Sequence, residues 1–318
     1  MEKRERRALL EEMLAVATWP PAELERRLAW SADPAYWTGL LAGSSIGRAA
    51  SRIDATSAPG EHVASAAASI HADGYGMVPA VLGPETLRLL NSSIDSVLAN
   101  GWPPVFAWVF DVMWSVTRAA AVLHLVAATL GEGARQIPHV WVNVVSDQGK
   151  GWASHVDGGD GSDPRARLTL WIALTDAGLD DGCIYLVPRS AAPADLYTFD
   201  WSTECLRQAD AVRMLEATRA MPVSAGSALA WNFDLLHWSG VRRGTSGARR
   251  SLSVEFLAGG ATAAPDEVPL LPCGADDPLP TLDERLRYIA TVLLEYNVHE
   301  TAMRRFAPLA EALLTRAV

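Results

Sequence analysis

The second half of the chain is a series of short β-type runs, and this pattern limits the possible folds more than any other feature. From residue 138 onward the runs read HVWVNVVS, SHVD, RLTLWIAL, CIYLVP, SALAWNF, LLHWSG and RRSLSVEFLA, and turns containing Gly or Pro separate many of them. Many short strands joined by tight turns are typical of an antiparallel sandwich or barrel. The sequence therefore predicts one antiparallel β domain.

Helix-like segments lie before and after these runs. ERRALLEEMLAVA and PAELERRLAW predict two N-terminal helices, and LDERLRYIATVLLEYN and RFAPLAEALLTRA predict two C-terminal ones. The small, polar residues 51–68 predict a loop. A short strand is expected at 75–78, followed by an amphipathic helix carrying Leu87, Leu90, Ile94 and Leu98. We therefore expect an α+β fold with an N-terminal helical extension (1–66), a β barrel with supporting helices (67–260) and a C-terminal helical segment (261–318).

Composition narrows the function classes. The 318 residues carry a net charge of −10, and no basic stripe is present, which argues against a nucleic-acid partner. The start of the chain, MEKRERRALLEEML, lacks the apolar run of a signal or membrane segment. Three scattered cysteines predict no disulfide framework. We expect a cytoplasmic protein with a small-molecule substrate, either a monomer or a homodimer.

A candidate metal site lies in the β-rich region. His155 and Asp157 are two residues apart in SHVDGG, so on an extended strand both side chains project from one face. His237, in the late run LLHWSG, supplies a third ligand. Two imidazoles and one carboxylate leave open positions on an octahedral metal, which suits Fe(II) oxygenases. We expect these three residues to be the catalytic metal ligands.

The His-x-Asp triplet alone is not distinctive. His71-Ala72-Asp73 is a second example, although it precedes Gly74 in a turn-like HADG before the β-rich region begins. A polar surface loop is the ordinary alternative for His155 and Asp157.

Two adjacent arginines follow the distal histidine at the start of the last β run. If the co-substrate is 2-oxoglutarate, its distal carboxylate needs a cation inside the barrel, and Arg offers a planar fork for it. Neighbouring residues on a strand face opposite ways. Arg249 shares the parity of Ser251 and Ser253, whereas Arg250 shares that of the apolar residues after it. A co-substrate pocket should lie on the polar side of the strand, which favours Arg249 as the inward arginine. The alternative is that both arginines form an exposed, charged strand end.

Taken in order, these segments resemble the phytanoyl-CoA dioxygenase (PhyH) family of Fe(II)/2-oxoglutarate-dependent oxygenases. The resemblance rests on HADGYGMVPAVLGPETLRLL, HVDGGDG, LTLWIALTDAGLDDGCIYLVPRSA and LLHWSGVRRGTSGARRSLSVEF, and it covers roughly residues 67–258. It implies a double-stranded β-helix, that is, a jelly-roll or cupin-like barrel, and it supports the three metal ligands and Arg249. It further implies that Trp171 and Ser239 contact 2-oxoglutarate, although Trp171 equally suits a barrel core.

Substrate contacts are less well indicated. Asn143, Trp152 and Arg189 are candidates, as are Trp108 and Trp114 for the pocket wall, and residues 192–215 with Tyr197 and Trp201 suit a lid. Arg189 lies in Pro188-Arg189-Ser190-Ala191, where the family usually has Gly-Ser-His. It either reaches an anionic substrate group or forms a surface salt bridge.

The resemblance implies an oxygenase that uses Fe(II), 2-oxoglutarate and O2. The implied reaction is hydroxylation, or desaturation or cyclisation, at an unactivated C–H bond of a small molecule, with bacterial secondary metabolism as the expected setting. Two alternatives remain. One is a cupin-like metal-dependent isomerase or hydrolase without 2-oxoglutarate, and the other is a non-catalytic barrel that acts as a binding protein.

Overall fold

The computed structural model describes residues 19–47, 49, 53, 60–146, 149, 151–158, 163–190, 208–244, 247–264, 269–296 and 301–315. The chain forms two compact units. The helical unit draws on residues 1–51, 92–114 and 278–318, and the β unit on residues 52–91 and 115–277. The predicted N-terminal and C-terminal helical segments thus contribute to one unit, together with a segment from the middle of the chain.

The secondary-structure elements are numbered in chain order. The helices are α1 (Pro21–Ser31), α2 (Pro34–Leu40), α3 (Gly60–Asp73), α4 (Pro84–Ala99), α5 (Asp111–Val116), α6 (Ala120–Leu130), α7 (Gln208–Ala217), α8 (Leu282–Tyr296) and α9 (Ala307–Thr315). Short 3-10 helices span Pro104–Val109, Pro164–Ala166 and Thr301–Phe306. The strands are β1 (Tyr75–Val78), β2 (Arg135–Val145), β3 (Arg167–Ala173), β4 (Ile184–Leu186), β5 (Arg219–Met221), β6 (Ala228–Asn232), β7 (His237–Ser239) and β8 (Arg249–Leu257).

The β unit contains two antiparallel sheets. The larger has the strand order β1-β6-β3-β8-β2, and the smaller has the order β5-β4-β7. Side chains from both sheets form one buried core, which consists of Trp171, Ala173, Ala177, Ile184, Leu186, Val223, Leu229, Trp231 and Leu235. The predicted antiparallel β domain is therefore confirmed as a pair of sheets that share a core.

The register of the larger sheet defines which residues share this core-facing side, which we name the inner face. Thr169 lies opposite Trp231 on one neighbouring strand and opposite Glu255 on the other. Trp171 lies opposite Ser253, and Ala173 lies opposite Ser251. Directly opposed residues of an antiparallel pair project to the same side. Since Trp171 and Trp231 belong to the core, the odd-numbered residues of β8 project from the inner face.

Several local predictions need correction. Residues 60–68, predicted as loop, belong to helix α3, since a run rich in Ala favours helix even without large apolar residues. SHVD forms only an isolated bridge at His155, and β5 was not predicted. The first predicted helix, over 5–17, lies outside the described residues, as does most of the proposed lid, including Tyr197 and Trp201. Within the described part of the chain, no helix is both long and apolar enough to span a membrane.

The helical unit has an aromatic core and one buried ion pair. Trp108 and Trp114, candidates for a pocket wall, are fully buried in this unit with rings 5.0 Å apart, so their role is packing. Arg285 is also fully buried, and its guanidinium pairs with Asp111 at 2.8 Å. It also donates to three backbone carbonyls, those of Pro280, Val109 and Gly47.

Candidate metal centre

The backbone brings the two predicted histidine ligands together. His155 and His237 form an antiparallel bridge in which each N–H donates to the other's carbonyl, both at 3.0 Å. Their ring centroids lie 4.3 Å apart. The bridge places His155 alongside β7, at the edge of the smaller sheet. Antiparallel pairing thus brings together two residues that are 82 positions apart in the sequence.

Asp157 completes the group. One ligand atom from each of the three side chains lies within 4.8 Å of the other two. Asp157 Oδ1 is 3.5 Å from His155 Nε2 and 3.6 Å from His237 Nε2. Asp157 Oδ2 points away and accepts hydrogen bonds from Thr169 Oγ1 (2.7 Å) and Trp231 Nε1 (2.8 Å).

The hydrogen bonds of the two imidazoles define their tautomers. His155 Nδ1 lies 2.8 Å from the carbonyl of Ala153, and His237 Nδ1 lies 3.0 Å from that of Leu235. A carbonyl only accepts, so each Nδ1 carries a proton, and the neutral form of each ring has its lone pair on Nε2. The two Nε2 atoms converge on one carboxylate oxygen, and in the neutral form of the rings all three atoms can donate an electron pair to a metal. Such a donor set fits a bound cation, and the Nδ1–carbonyl bonds are the usual support of metal-binding histidines.

The electrostatics of the group agree with this geometry. Burial alone would raise the pKa of Asp157, but His237, His155 and the Thr169 hydroxyl together hold it well below its usual range. The carboxylate is therefore ionised at neutral pH. Burial lowers the pKa of His237. Burial also opposes charge on His155, but the Asp157 carboxylate outweighs it and raises the pKa of His155. The carboxylate thus attracts positive charge to the point where the ligand atoms meet.

A buried cation lies elsewhere on the inner face. Arg249 is 2% exposed, its Nη1 donates to the carbonyl of Gly182, and its guanidinium lies 5.8 Å from the ring of Trp171. Its Nε has no hydrogen-bond partner, and no carboxylate of the described residues pairs with it. Burial lowers its pKa to about 10, so the group stays charged at neutral pH. Arg250 instead directs its guanidinium to the backbone carbonyl and side-chain oxygen of Asn91, so strand parity distinguished the inner arginine from the outer one.

Ser251 was not predicted, although it lies two residues beyond Arg249 on the same face. It is fully buried, and its hydroxyl has no hydrogen-bond partner within the described parts of the chain. Ser239, the predicted contact, accepts a hydrogen bond from the backbone N–H of Trp152 at 2.8 Å. The alternation of strand β8 would have marked Ser251 as a neighbour of Arg249.

Two predicted substrate contacts meet beside the histidines. Trp152 Nε1 donates to Asn143 Oδ1 at 3.0 Å, and the ring of Trp152 lies 6.4 Å from that of His155. An indole N–H only donates, so the amide oxygen of Asn143 faces the indole and its NH2 group points elsewhere. The pair forms a wall next to the exposed side of His155, whose side chain is 41% exposed.

The other candidates are engaged elsewhere. Arg189 donates to Asp234 at 2.7 Å in a half-buried ion pair, which agrees with the salt-bridge interpretation rather than an anion contact. His71 and Asp73 lie at the end of helix α3, where residues two apart face different sides. Among the described residues they take part in no group of potential metal ligands.

The segment that carries the candidate metal centre matches a known family. Residues 111–251 match the phytanoyl-CoA dioxygenase (PhyH) family. The resemblance predicted from the motifs is confirmed over this segment, which contains the three candidate ligands, Arg249 and Ser251. The PhyH match covers less than half of the chain and is shorter than the span of roughly 67–258 that the motifs indicated. No curated protein matches the chain in sequence.

Three solved structures with a similar fold are of non-heme enzymes. The epimerase SnoN from nogalamycin biosynthesis, in complex with Fe3+, alpha ketoglutarate and nogalamycin RO, is 22% identical over 70% of this chain and 94% of SnoN, with a TM-score of 0.53. The carbocyclase SnoK from the same biosynthesis is 21% identical over 68% of this chain and 92% of SnoK, with a TM-score of 0.51. The non-heme monooxygenase ThoJ is 18% identical over 79% of this chain and 99% of ThoJ, with a TM-score of 0.53. These similarities establish a shared fold.

Proposed function

We propose that the chain is an Fe(II)/2-oxoglutarate-dependent oxygenase in which His155, Asp157 and His237 hold the iron. The observation that carries this proposal is the convergence of two Nε2 atoms on one oxygen of Asp157. One metal cation at this point would be bound by both imidazoles and by the ionised carboxylate. Two imidazoles and one carboxylate that leave positions open are the ligand set of non-haem Fe(II) oxygenases.

Arg249 and Ser251 support 2-oxoglutarate as the co-substrate. Among the described residues no carboxylate pairs with the guanidinium of Arg249, so its burial carries a large desolvation cost that an anion in the same core would offset. The hydroxyl of Ser251 offers a further donor on the same face. We infer that these residues bind the distal carboxylate of 2-oxoglutarate, with Trp171 beside the guanidinium.

The iron and 2-oxoglutarate, when bound, would activate O2 for oxidation of an unactivated C–H bond. The contribution of the protein is positional. It holds three ligand atoms in one place, anchors the far end of the co-substrate, and surrounds the site with apolar residues such as Leu235 and Trp231. His155, the exposed ligand, marks the side from which a substrate would approach.

The substrate is proposed to be a small molecule of natural-product biosynthesis. SnoN and SnoK come from nogalamycin biosynthesis, and both have the fold of this chain. One is an epimerase and the other a carbocyclase, so the outcome can be hydroxylation, desaturation, ring closure or epimerisation. Trp152 and Asn143 are proposed to contact the substrate. The two sheets are proposed to close as a jelly-roll barrel, the fold that the family resemblance implies.

The test is anaerobic titration of the purified protein with Fe(II) and 2-oxoglutarate, followed through the visible metal-to-ligand charge-transfer band. We expect a band in the wild type, none in His155→Ala, and a band in Arg249→Gln that needs at least tenfold more 2-oxoglutarate. Arg250→Gln is the matched control, because its side chain binds Asn91 rather than the inner core. This variant should behave as the wild type does.

The same titration distinguishes the alternatives. A wild type that binds Fe(II) or Zn2+ without a 2-oxoglutarate band would favour a cupin-like isomerase or hydrolase that uses the same three ligands. A wild type that binds neither would favour a non-catalytic binding protein. The observation that favours the oxygenase over both is that no carboxylate of the described residues pairs with the buried Arg249.

A further inference from the structure

Asp157 is held by a pair of residues that face each other across two strands. Thr169 on β3 and Trp231 on β6 are directly opposed in the larger sheet, so their side chains leave the inner face together. Both are buried, at 4% and 3% exposure. Their donors reach the same atom, Asp157 Oδ2, at 2.7 and 2.8 Å. The pair therefore forms a two-pronged hydrogen-bond fork under the carboxylate.

The fork distinguishes the two oxygens of Asp157. An indole N–H can only donate, so Trp231 Nε1 needs an acceptor in this buried position, and Oδ2 supplies it. With two donors on Oδ2, the carboxylate is fixed with Oδ1 directed at the two histidine Nε2 atoms. Rotation of the carboxylate would break two buried hydrogen bonds.

Trp231 also contacts a second ligand. Its ring lies 4.6 Å from that of His237 at an angle of 44°. The Nδ1 hydrogen bond of His237 fixes the tautomer of the ring, and the contact with Trp231 limits its tilt. One side chain thus restrains both the carboxylate and the buried imidazole.

We infer that Thr169 and Trp231 are positioning residues that keep Asp157 a one-oxygen ligand. This inference rests on the proposed iron site. A facial set of three ligand atoms leaves three positions of an octahedron, two for a chelating 2-oxoglutarate and one for O2. A carboxylate that bound through both oxygens would occupy one of them. The fork therefore preserves the number of open positions that the reaction needs.

The experiment compares Thr169→Val and Trp231→Phe, each of which removes one donor and keeps most of the side-chain shape. Anaerobic Fe(II) titration should give a dissociation constant roughly tenfold higher for each variant and on the order of 100-fold higher for the double variant, in line with the usual effect of such supporting groups. The charge-transfer band with 2-oxoglutarate should shift or weaken. Thr169→Ser, which keeps the hydroxyl, should restore both readouts.

The matched control is Trp238→Phe. Trp238 follows His237 directly but faces the other side of the smaller sheet, where its ring stacks on Tyr185. Thermal unfolding of the metal-free proteins completes the comparison, because a merely structural residue would lower the melting temperature and leave iron affinity unchanged.

Three results would overturn the inference. Fork variants with wild-type iron affinity and an unchanged band would refute it while leaving the proposed function intact. An affinity loss equal to that of Trp238→Phe would assign the effect to packing. A wild type that binds no iron would refute both the inference and the proposed function. A wild type that binds Fe(II) but gives no band would refute the co-substrate proposal alone. The Fe(II) affinities of the Thr169 and Trp231 variants would still test the inference about the fork.

Discussion

Replacing Arg249 with methionine should separate the stability of the protein from its ability to bind 2-oxoglutarate. Burial lowers the folded-state pKa of Arg249 well below its ordinary value, to about 10. Because the folded pKa lies below the unfolded one, the cost of the buried charge applies wherever both states are protonated. That range lies below pH 10 and includes pH 7. The shift corresponds to about 3 kcal/mol.

Methionine removes this cost but also removes favourable contacts. The hydrogen bond from the guanidinium to Gly182 contributes about 1.5–3 kcal/mol as a charged bond, and the contact with Trp171 about 0.5–2 kcal/mol. The apolar side chain adds about 1.5–3 kcal/mol of burial. We therefore expect Arg249→Met to change the free energy of unfolding of the metal-free protein by about −0.5 to +4 kcal/mol.

Arg285 supplies the contrasting case. It is equally buried but pairs with Asp111 and three carbonyls, so Arg285→Met leaves a buried carboxylate without its cation. A loss of about 3–5 kcal/mol is expected. Urea unfolding of both variants at pH 7 measures the difference.

The second half of the assay measures binding. Under anaerobic Fe(II), 2-oxoglutarate at 100 times its dissociation constant should stabilise the wild type by about 2.7 kcal/mol and Arg249→Met hardly at all. Two results would refute this expectation and make Arg249 a structural residue. One is a decrease of more than about 1 kcal/mol in the free energy of unfolding of ligand-free Arg249→Met. Such a decrease would lie below the range expected from the opposing burial and contact energies. The other is stabilisation of Arg249→Met by 2-oxoglutarate to the same extent as the wild type.

Three further substitutions have defined outcomes. Gly76→Ala should destabilise the protein by about 1–3 kcal/mol in urea unfolding, because a Cβ there would collide with the backbone of helix α3, and unchanged stability would contradict this packing. Arg189→Ala should lower the free energy of unfolding by about 1–3 kcal/mol, because it breaks the half-buried ion pair with Asp234, and it should leave the charge-transfer titration unchanged. A change in that titration would indicate that Arg189 contacts a ligand of the site. Gly151→Ala should weaken Fe(II) binding at least tenfold, since its Cβ would displace the backbone of Ser239 beside the histidine bridge, and wild-type iron affinity would count against that close approach.

The three candidate ligands could be recognised in the sequence from their residue types and their order along the chain. His155 and Asp157 are two residues apart. His237 lies in a late β run, and antiparallel pairing can bring such a run next to an earlier segment. The structure brings their ligand atoms together, although SHVD is a single bridge rather than the predicted strand. Strand alternation also identified Arg249 as the inward arginine, because the alternation of polar and apolar residues along β8 can be read from that strand alone.

The supporting residues could not be predicted, because they depend on register. Nothing in the runs LTLWIAL and ALAWNF indicates that Thr169 faces Trp231, since strand pairing over that distance is set by the whole sheet. The same limit applies to Ser251, whose unpartnered hydroxyl is visible only once its neighbours are known. The helix at 60–73 was missed for a different reason. The helix buries a narrow face formed by Val63, Ala66, Ala67 and Ile70, and its other small and polar residues resemble a loop in composition.

The division into two units is also a non-local property. The helical unit joins residues 92–114 to both ends of the chain, and helix α4 starts in the β unit and ends in the helical one. A change of composition along the chain can mark only the boundaries of consecutive segments, so the sequence predicted domains made of continuous stretches. Packing of distant segments follows from the complementary surfaces of helices, which no single stretch of sequence records.

If His155, Asp157 and His237 hold a metal as proposed, their unequal exposure would affect how fast the site gains and loses it. The side chains of His237 and Asp157 are 5% and 17% exposed, whereas that of His155 is 41% exposed. An incoming ion would meet His155 first and then complete its coordination in the interior. On release, His155 is the ligand that solvent can replace first, so a competing chelator should remove the metal at a rate that depends on chelator concentration. A site enclosed on all sides would lose its ion at a rate set by protein opening alone.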